Sequence, residues 1–361
     1  MVRQSLRKPD GRELILYGRD AVAVTSPVPS PNPAIHTPNA HLRWQALRGE
    51  WVAYATHRQQ RTFLPPPEYN PLAPTTDPAR PTELPSGGYD VAVFENLFPA
   101  LTMTAHDPPR LLVPTREGHG RCEVVVFTQD AAASLGGLPL WHIALILEVW
   151  AERYRVLGEH PQIQYVYPFE NRGVEVGVTL THPHGQIYGY PFVPPIPAAE
   201  LRQQRGYLDE HGRGLLEDLI EREVADGRRL LYEGPQVVAF VPAAARYPYE
   251  VWLATRRACP SVADLDEIAR IDFARALKTV LLTYDALWHR PFPYVMACHQ
   301  APTDGRPHPE AHLHLEFYPP YRMPDRLKYL AGSELGAGVF TADTNPDDTA
   351  AELRAVRVEI D

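Results

Sequence analysis

Two strings of alternating polar and apolar residues set the tightest limits on what this chain can fold into. The first is His182-Pro-His184-Gly-Gln186-Ile-Tyr188, with Pro191 soon after; the second is His312-Leu-His314-Leu-Glu316-Phe-Tyr318, with Pro319 next. Each string closes one half of the chain, and the segments before it come in a similar order. In the first half, residues 51–55, 90–94 and 122–127 read as strands. Residues 140–154 carry apolar side chains at helical spacing, with Glu148, Glu152 and Arg153 on the other face. A strand at 163–167, a glycine-punctuated loop and a strand over 184–192 complete that half. In the second half a charged helix over 199–226 leads to strands at 237–241 and 249–254. An amphipathic helix over 267–288 follows, then strands at 294–299 and 311–318. Matching order and matching ends imply duplication of one unit. Strands dominate each half with a long helix against them, so the expected class is α+β, with antiparallel sheets and packed helices.

A length of 361 residues accommodates two domain-sized units. The expected division is a proline-rich leader over 1–40, a first half over 41–195 and a second over 196–361. The 39 prolines are about twice the usual share and gather at 26–38 and 64–85, which predicts extended, irregular segments there. A formal net charge of -9 argues against a nucleic-acid partner, and an anionic substrate would need a local cluster of Arg and Lys. The three cysteines stand far apart with no C-x-x-C, which suits a reducing compartment. The first twenty residues lack the apolar core of a signal peptide, and no apolar run is long enough for a bilayer. The chain is therefore expected to be soluble and cytoplasmic, with no membrane association.

On a strand, alternate side chains share a face, so His182, His184 and Gln186 are expected to point together, as are His312, His314 and Glu316. A polar trio on a packed face is costly unless paired or functional. Gly185 removes a side chain where a ligand could approach. Histidines two apart serve either as metal ligands or as nucleophile and partner. A neutral imidazole can attack phosphorus without a separate base, provided an acceptor holds its other nitrogen. Gln186 could then hydrogen-bond a phosphoryl or leaving oxygen.

The run Phe169-Glu170-Asn171-Arg172-Gly173, then Gly177-Val-Thr179, then His182-Pro-His184-Gly-Gln186 resembles the galactose-1-phosphate uridylyltransferases, a branch of the histidine-triad superfamily. The resemblance runs from about residue 44 to about residue 356 and implies a duplicated histidine-triad-like unit. It implies that His184 forms a covalent uridylyl intermediate from UDP-glucose and passes it to galactose 1-phosphate, with His182 and Gln186 assisting. Thr56-His57-Arg58-Gln-Gln-Arg61 resembles the motif whose two arginines meet phosphate, giving Arg58 and Arg61. Phe94-Glu-Asn96-Leu-Phe98 resembles the uracil and ribose contact, giving Asn96 and Phe98. Asn171, Thr179 and Gln186 resemble further nucleotide and phosphate contacts, and Lys328 and Glu334 the sugar-phosphate end. A homodimer with shared active sites is also implied.

The chain departs from that pattern in three places. Some relatives bind structural zinc through a Cys-x-x-Cys, a later histidine and the first histidine of H-P-H. Here those positions are Asn70 to Ala73 and Ala131, leaving His182 alone, so that zinc site is expected to be absent and His182 to act through hydrogen bonds. A second metal site of relatives maps to Glu200, His299 and His314, with Glu316 in place of a histidine; this set suits zinc or ferrous iron, or else a metal-free polar cluster. At the sugar end, Phe340 stands near a usual glutamine and Ser333 replaces a usual tyrosine. The alternative readings are a nucleoside-diphosphate-sugar phosphorylase of the same superfamily, and a mononuclear metal oxygenase or hydrolase using His299, His312, His314 and Glu316. The paired arginines speak against an oxygenase, which has no use for phosphate clamps.

Overall fold

A computed structural model describes all residues except 33, 35, 36, 61–64, 67, 68 and 361. Its frame is a single eleven-stranded sheet, antiparallel throughout. In chain order the strands are β1 (Val2–Arg7), β2 (Glu13–Gly18), β3 (Val91–Glu95), β4 (Arg121–Val126), β5 (Tyr165–Arg172), β6 (His184–Tyr190), β7 (Leu230–Glu233), β8 (Val237–Phe240), β9 (Val251–Thr255), β10 (Tyr294–His299) and β11 (His314–Tyr318). Across the sheet they run β1-β2-β3-β4-β6-β5-β10-β11-β9-β8-β7. The order reads alike from either end, apart from β1. The two halves are thus copies of one unit joined edge to edge where β5 pairs with β10.

Among the described residues there are five α-helices: α1 (Leu140–Gly158), α2 (Pro195–His211), α3 (Leu215–Asp226), α4 (Glu267–Leu287) and α5 (Pro346–Ala355). The corresponding helices α1 and α4 lie on one face of the sheet and pack against each other. Ile143, Ile146, Val149 and Trp150 of α1 meet Phe273, Leu277, Leu281 and Tyr284 of α4 in one core with Val166, Ile187, Met296 and Leu315. Burying each such side chain contributes roughly 2 kcal/mol, far more than helix propensity, so docking on the sheet is what holds these helices. Asp266 caps α4 by accepting the Ala269 N–H at 2.7 Å. The single charged helix expected over 199–226 is two helices, because Gly212 takes a left-handed conformation, φ 67°, and ends the first.

The opposite face carries shorter coverings. Leu72, Leu84 and Tyr89 pack on Leu14, Leu16, Phe94 and Val126 over the first half, while α3 covers Val238, Phe240 and Ala254 over the second. Strands His41–Gln45, Glu50–Tyr54 and Thr115–Glu117 form a separate small sheet, so the strand expected at 51–55 lies outside the main one. The expected leader over 1–40 is also revised. Residues 2–18 form β1 and β2, and Leu14, Leu16 and Tyr17 are fully buried. Their hairpin carries a buried ion network: Lys8 and Arg12 both reach Glu83 (2.9 and 2.7 Å), and Arg12 also pairs with Asp10 at 2.7 Å. That network ties the N-terminus to the proline-rich segment that follows.

The joint between halves is pinned by side chains as well as by the backbone. Tyr294 donates its hydroxyl to Glu170 at 2.8 Å, and Arg172 forms a two-pronged pair with Asp285 of α4 at 2.7 and 3.0 Å. Burial pushes the Glu170 carboxyl up to about 7, and the Tyr294 hydroxyl and Arg172 charge offset this only in part. An acid whose pKa is raised by folding loses stabilising free energy as the pH climbs from its ordinary 4.5 through about 7. Glu170→Gln keeps an acceptor for Tyr294 without the buried charge. It should raise Tm by several degrees at pH 8 and leave it almost unchanged at pH 4; thermal denaturation at both pH values checks this.

Candidate active site

His184 is the first residue of β6, so its backbone is held by β4, with His184 opposite Val126. Its ring Nδ1 lies 2.7 Å from the carbonyl oxygen of His182. A carbonyl can only accept, so Nδ1 carries the proton and Nε2 keeps its lone pair. Burial lowers the His184 pKa below 6.5, the bond to His182 opposes that, and positive charge on His182 would add to it. The neutral, unprotonated-at-Nε2 ring is therefore the resting form at neutral pH.

That ring borders a cavity of about 180 Å³ lined by Arg58, Asn96, Phe98, Thr179 and Gln186 together with Phe94, Leu72 and Leu180. Six of the residues singled out in the sequence, His184 among them, thus share one space. The polar groups in it are oriented by their neighbours. Asn96 Oδ1 accepts the Phe98 N–H at 2.8 Å, which turns Asn96 Nδ2 toward Gln186 Oε1 at 3.4 Å. Among the described residues nothing takes the Gln186 Nε2 donors, which leaves them for an acceptor in the cavity. Arg58, in a short 3-10 turn (Thr56–Gln60), donates to the Phe98 carbonyl at 2.6 Å and has no carboxylate partner among the described residues. Arg61 lies outside the described residues.

Asn171 sits at the end of β5, because the strand runs on through the Phe-Glu-Asn motif rather than stopping at 167. It lines a second cavity of about 650 Å³ with Arg172, Gly173, His182 and His184. His182 does not share the face of His184 and Gln186 as expected. It precedes the strand, and its buried ring is gripped on both nitrogens: Nε2 lies 2.7 Å from the Thr128 carbonyl and Nδ1 lies 2.8 Å from Asn70 Nδ2. Gly185 is also revised. A Cβ there would come within 2.7 Å of the Phe127 ring and 3.0 Å of the Phe169 carbonyl, so glycine serves packing beneath the site rather than approach of a ligand.

The second half repeats the trap and uses it differently. His314 Nδ1 bonds to the His312 carbonyl at 2.8 Å, and His312 Nε2 bonds to the Thr255 carbonyl at 2.7 Å. His314 Nε2 then faces Glu200 of α2 and Glu316, at 3.7 and 3.6 Å, while His299 Nδ1 lies 2.8 Å from Glu200. One ligand atom from each of Glu200, His299, His314 and Glu316 lies within 4.8 Å of the others. The set fits a divalent cation: two imidazole nitrogens that can offer lone pairs once unprotonated, and two carboxylates to balance the charge. Glu316 can serve with Oε1 because Oε2 is taken by Arg246 at 3.2 Å and by the Tyr318 hydroxyl.

Lys328 and Glu334 line neither cavity at His184. The Lys328 ammonium is committed to the Thr341 carbonyl and to Asp343, and lies 3.9 Å from Glu334. Phe340 packs on Tyr247, and Ser333 donates to the Val339 carbonyl at 2.7 Å. What sequence reasoning missed is Asn70, which it treated only as a lost ligand. Its signal was the one polar side chain left where His182 would otherwise lack a partner.

Comparison with known proteins assigns the chain to a family. Residues 32–194 match the family model described as galactose-1-phosphate uridyl transferase, N-terminal domain, and residues 200–357 match its C-terminal domain. A galactose-1-phosphate uridylyltransferase of Thermotoga maritima is 36% identical over 326 residues, covering 88% of this chain and 99% of that protein. One from Streptomyces lividans is 37% identical over 330 residues, covering 89% and 88%. A solved uridylyltransferase structure superposes with a TM-score of 0.79 at 35% identity, covering 87% of this chain and 97% of the other. The chain belongs to the galactose-1-phosphate uridylyltransferase family and is a nucleotidyltransferase.

Proposed function

We propose that the protein moves a uridylyl group from UDP-glucose to galactose 1-phosphate by double displacement on His184, as a step of galactose metabolism. The observation that carries this is the tautomer of His184: a proton fixed on Nδ1 by the His182 carbonyl and a lone pair on Nε2 beside a cavity holding Arg58, Thr179 and Gln186. In the first step a bond forms from Nε2 to the α-phosphorus. The phosphoanhydride bond breaks, and its electron pair leaves with glucose 1-phosphate. The ring becomes positively charged, and its Nδ1–H bond to the carbonyl strengthens accordingly. In the second step a phosphate oxygen of galactose 1-phosphate attacks the same phosphorus and the N–P bond breaks. The Gln186 amide and Arg58 guanidinium hold the non-bridging oxygens through both steps. Asn96 and Phe98 take the uridine, Asn171 and Thr179 the phosphates, and Arg61 joins Arg58.

Lys328 and Glu334, which line neither cavity at His184, are assigned to the sugar phosphate of the neighbouring site in a homodimer. Glu200, His299, His314 and Glu316 are assigned a zinc or ferrous ion that staples α2 to the sheet, with no part in the transfer. Among the described residues no helix is long and apolar enough to cross a membrane, and the three cysteines are unpaired, which suits the cytoplasm.

Mass spectrometry after mixing with UDP-glucose should show one uridylyl adduct on His184, and glucose 1-phosphate should appear in equal amount. His184→Gly should keep nucleotide affinity, form no adduct and lose transfer by several orders of magnitude; normal turnover in that variant refutes the assignment. With the wild type, galactose 1-phosphate should discharge the adduct and inorganic phosphate should not; the reverse outcome marks a phosphorylase.

The rate should fall on the acid side as Nε2 takes a proton. Because burial lowers the His184 pKa, the midpoint should lie below 6.5. A profile of kcat/KM between pH 4.5 and 8 checks this. Elemental analysis of untagged protein should find about one zinc or iron per chain, lost in Glu200→Ala/His314→Ala without loss of the uridylyl adduct.

A further inference from the structure

We propose that Asn70 is a positioning residue for the nucleophile, setting the protonation state of His182 and through it the basicity of His184. This rests on the role proposed above for His184. The relay is continuous. Asn70 Oδ1 accepts the Leu72 N–H at 3.0 Å, which leaves Nδ2 as the group facing His182 Nδ1 at 2.8 Å. An amide NH₂ can only donate, so Nδ1 of His182 must be the unprotonated nitrogen, and Nε2–H donates to the Thr128 carbonyl at 2.7 Å. His182 is thereby held neutral, with both nitrogens satisfied, and its own carbonyl accepts the Nδ1–H of His184 at 2.7 Å. Asn70 thereby keeps His182 uncharged, and no positive charge stands beside the His184 ring whose Nδ1–H that residue's carbonyl holds.

The second half supplies an internal comparison. His312 makes the same bond, Nε2 to the Thr255 carbonyl at 2.7 Å, yet its Nδ1 is buried with no hydrogen-bond partner among the described residues. There the following histidine faces carboxylates rather than an open cavity lined by an arginine and amides. The amide is present only in the half that holds the proposed nucleophile.

Asn70 also belongs to the segment that walls the cavity. Tyr69, Pro71 and Leu72 line it, and Leu72 is buried on the sheet. The wall and the nucleophile are therefore placed by one side chain. Charged groups near His182 are Asp130, which favours its protonation, and across the second cavity Glu170 and the paired Arg172 and Asp285. Burial lowers the His182 pKa despite Asp130 and the Thr128 bond, so a neutral ring suits its surroundings.

The test is Asn70→Asp, which keeps shape and reverses polarity. A carboxylate facing Nδ1 would draw a proton onto it while Thr128 retains Nε2–H, making His182 an imidazolium. That charge, two residues from His184, should lower kcat by about tenfold or more at pH 7, shift the acid limb of the rate profile to lower pH, and leave KM for UDP-glucose within about twofold. Asn70→Ala should lower kcat without moving the limb that way. Wild-type kcat in Asn70→Asp overturns the proposal, as does a lower kcat with an unmoved acid limb and a lowered Tm, which marks a structural role. The wild-type uridylyl adduct is measured in parallel, so its absence would instead refute His184 as nucleophile.

Discussion

The antiparallel pairing of β5 with β10 is the contact on which the rest of this molecule depends. It converts two half-sized sheets, each with an exposed edge, into one sheet whose helices α1 and α4 can share a core. It also sets the register that places chemistry. Gln186 lies opposite Phe169, Phe169 opposite Ala297, and Ala297 opposite Glu316, forming one row across the joint. His184 and His314 stand on opposite sides of that row, each at the start of its strand. One joint thus builds two polar centres from a single repeated unit and keeps them apart.

The repeated device is a histidine whose Nδ1–H is captured by the backbone carbonyl two residues earlier. Such a bond costs little sequence and dictates a tautomer. What surrounds the other nitrogen then decides the chemistry. In the first half it is a cavity with a guanidinium and amides that can donate to an anion. In the second it is a pair of carboxylates that attract a cation, and without a metal these hold the His314 pKa up, to about 9, against the effect of burial. Duplication followed by a change of neighbours accounts for both.

How far the sequence spoke depended on the range of each interaction. The duplication was legible in the matching order and ends of the two halves, the helices α1 and α4 in their apolar spacing, and the candidate metal set in its positional match to relatives. Asn96, Thr179 and Gln186 came from local motifs and do meet in space. The hairpin β1–β2 was not legible, since its burial comes from pairing with β3, more than seventy residues along. Nor was the orientation of His182, because strand periodicity was extended two residues past where the strand begins. Asn70 was hidden for the same reason as the hairpin: its partner lies 112 residues away, and only folding brings them together. Gly185 was misread because the ring it packs on, Phe127, lies just past the end of β4 and far off in sequence.

The construction of the cavity at His184 has an evolutionary consequence. Its floor is regular sheet, fixed by a ladder on both sides of β6, whereas its walls are connecting segments: the turn holding Arg58, the stretch around Leu72, the Asn96–Phe98 loop and Thr179. Drift in those connectors can reshape which ligand is admitted while the His184 ring stays where it is. A scaffold so divided lets ligand preference diversify among descendants at little risk to the reaction itself.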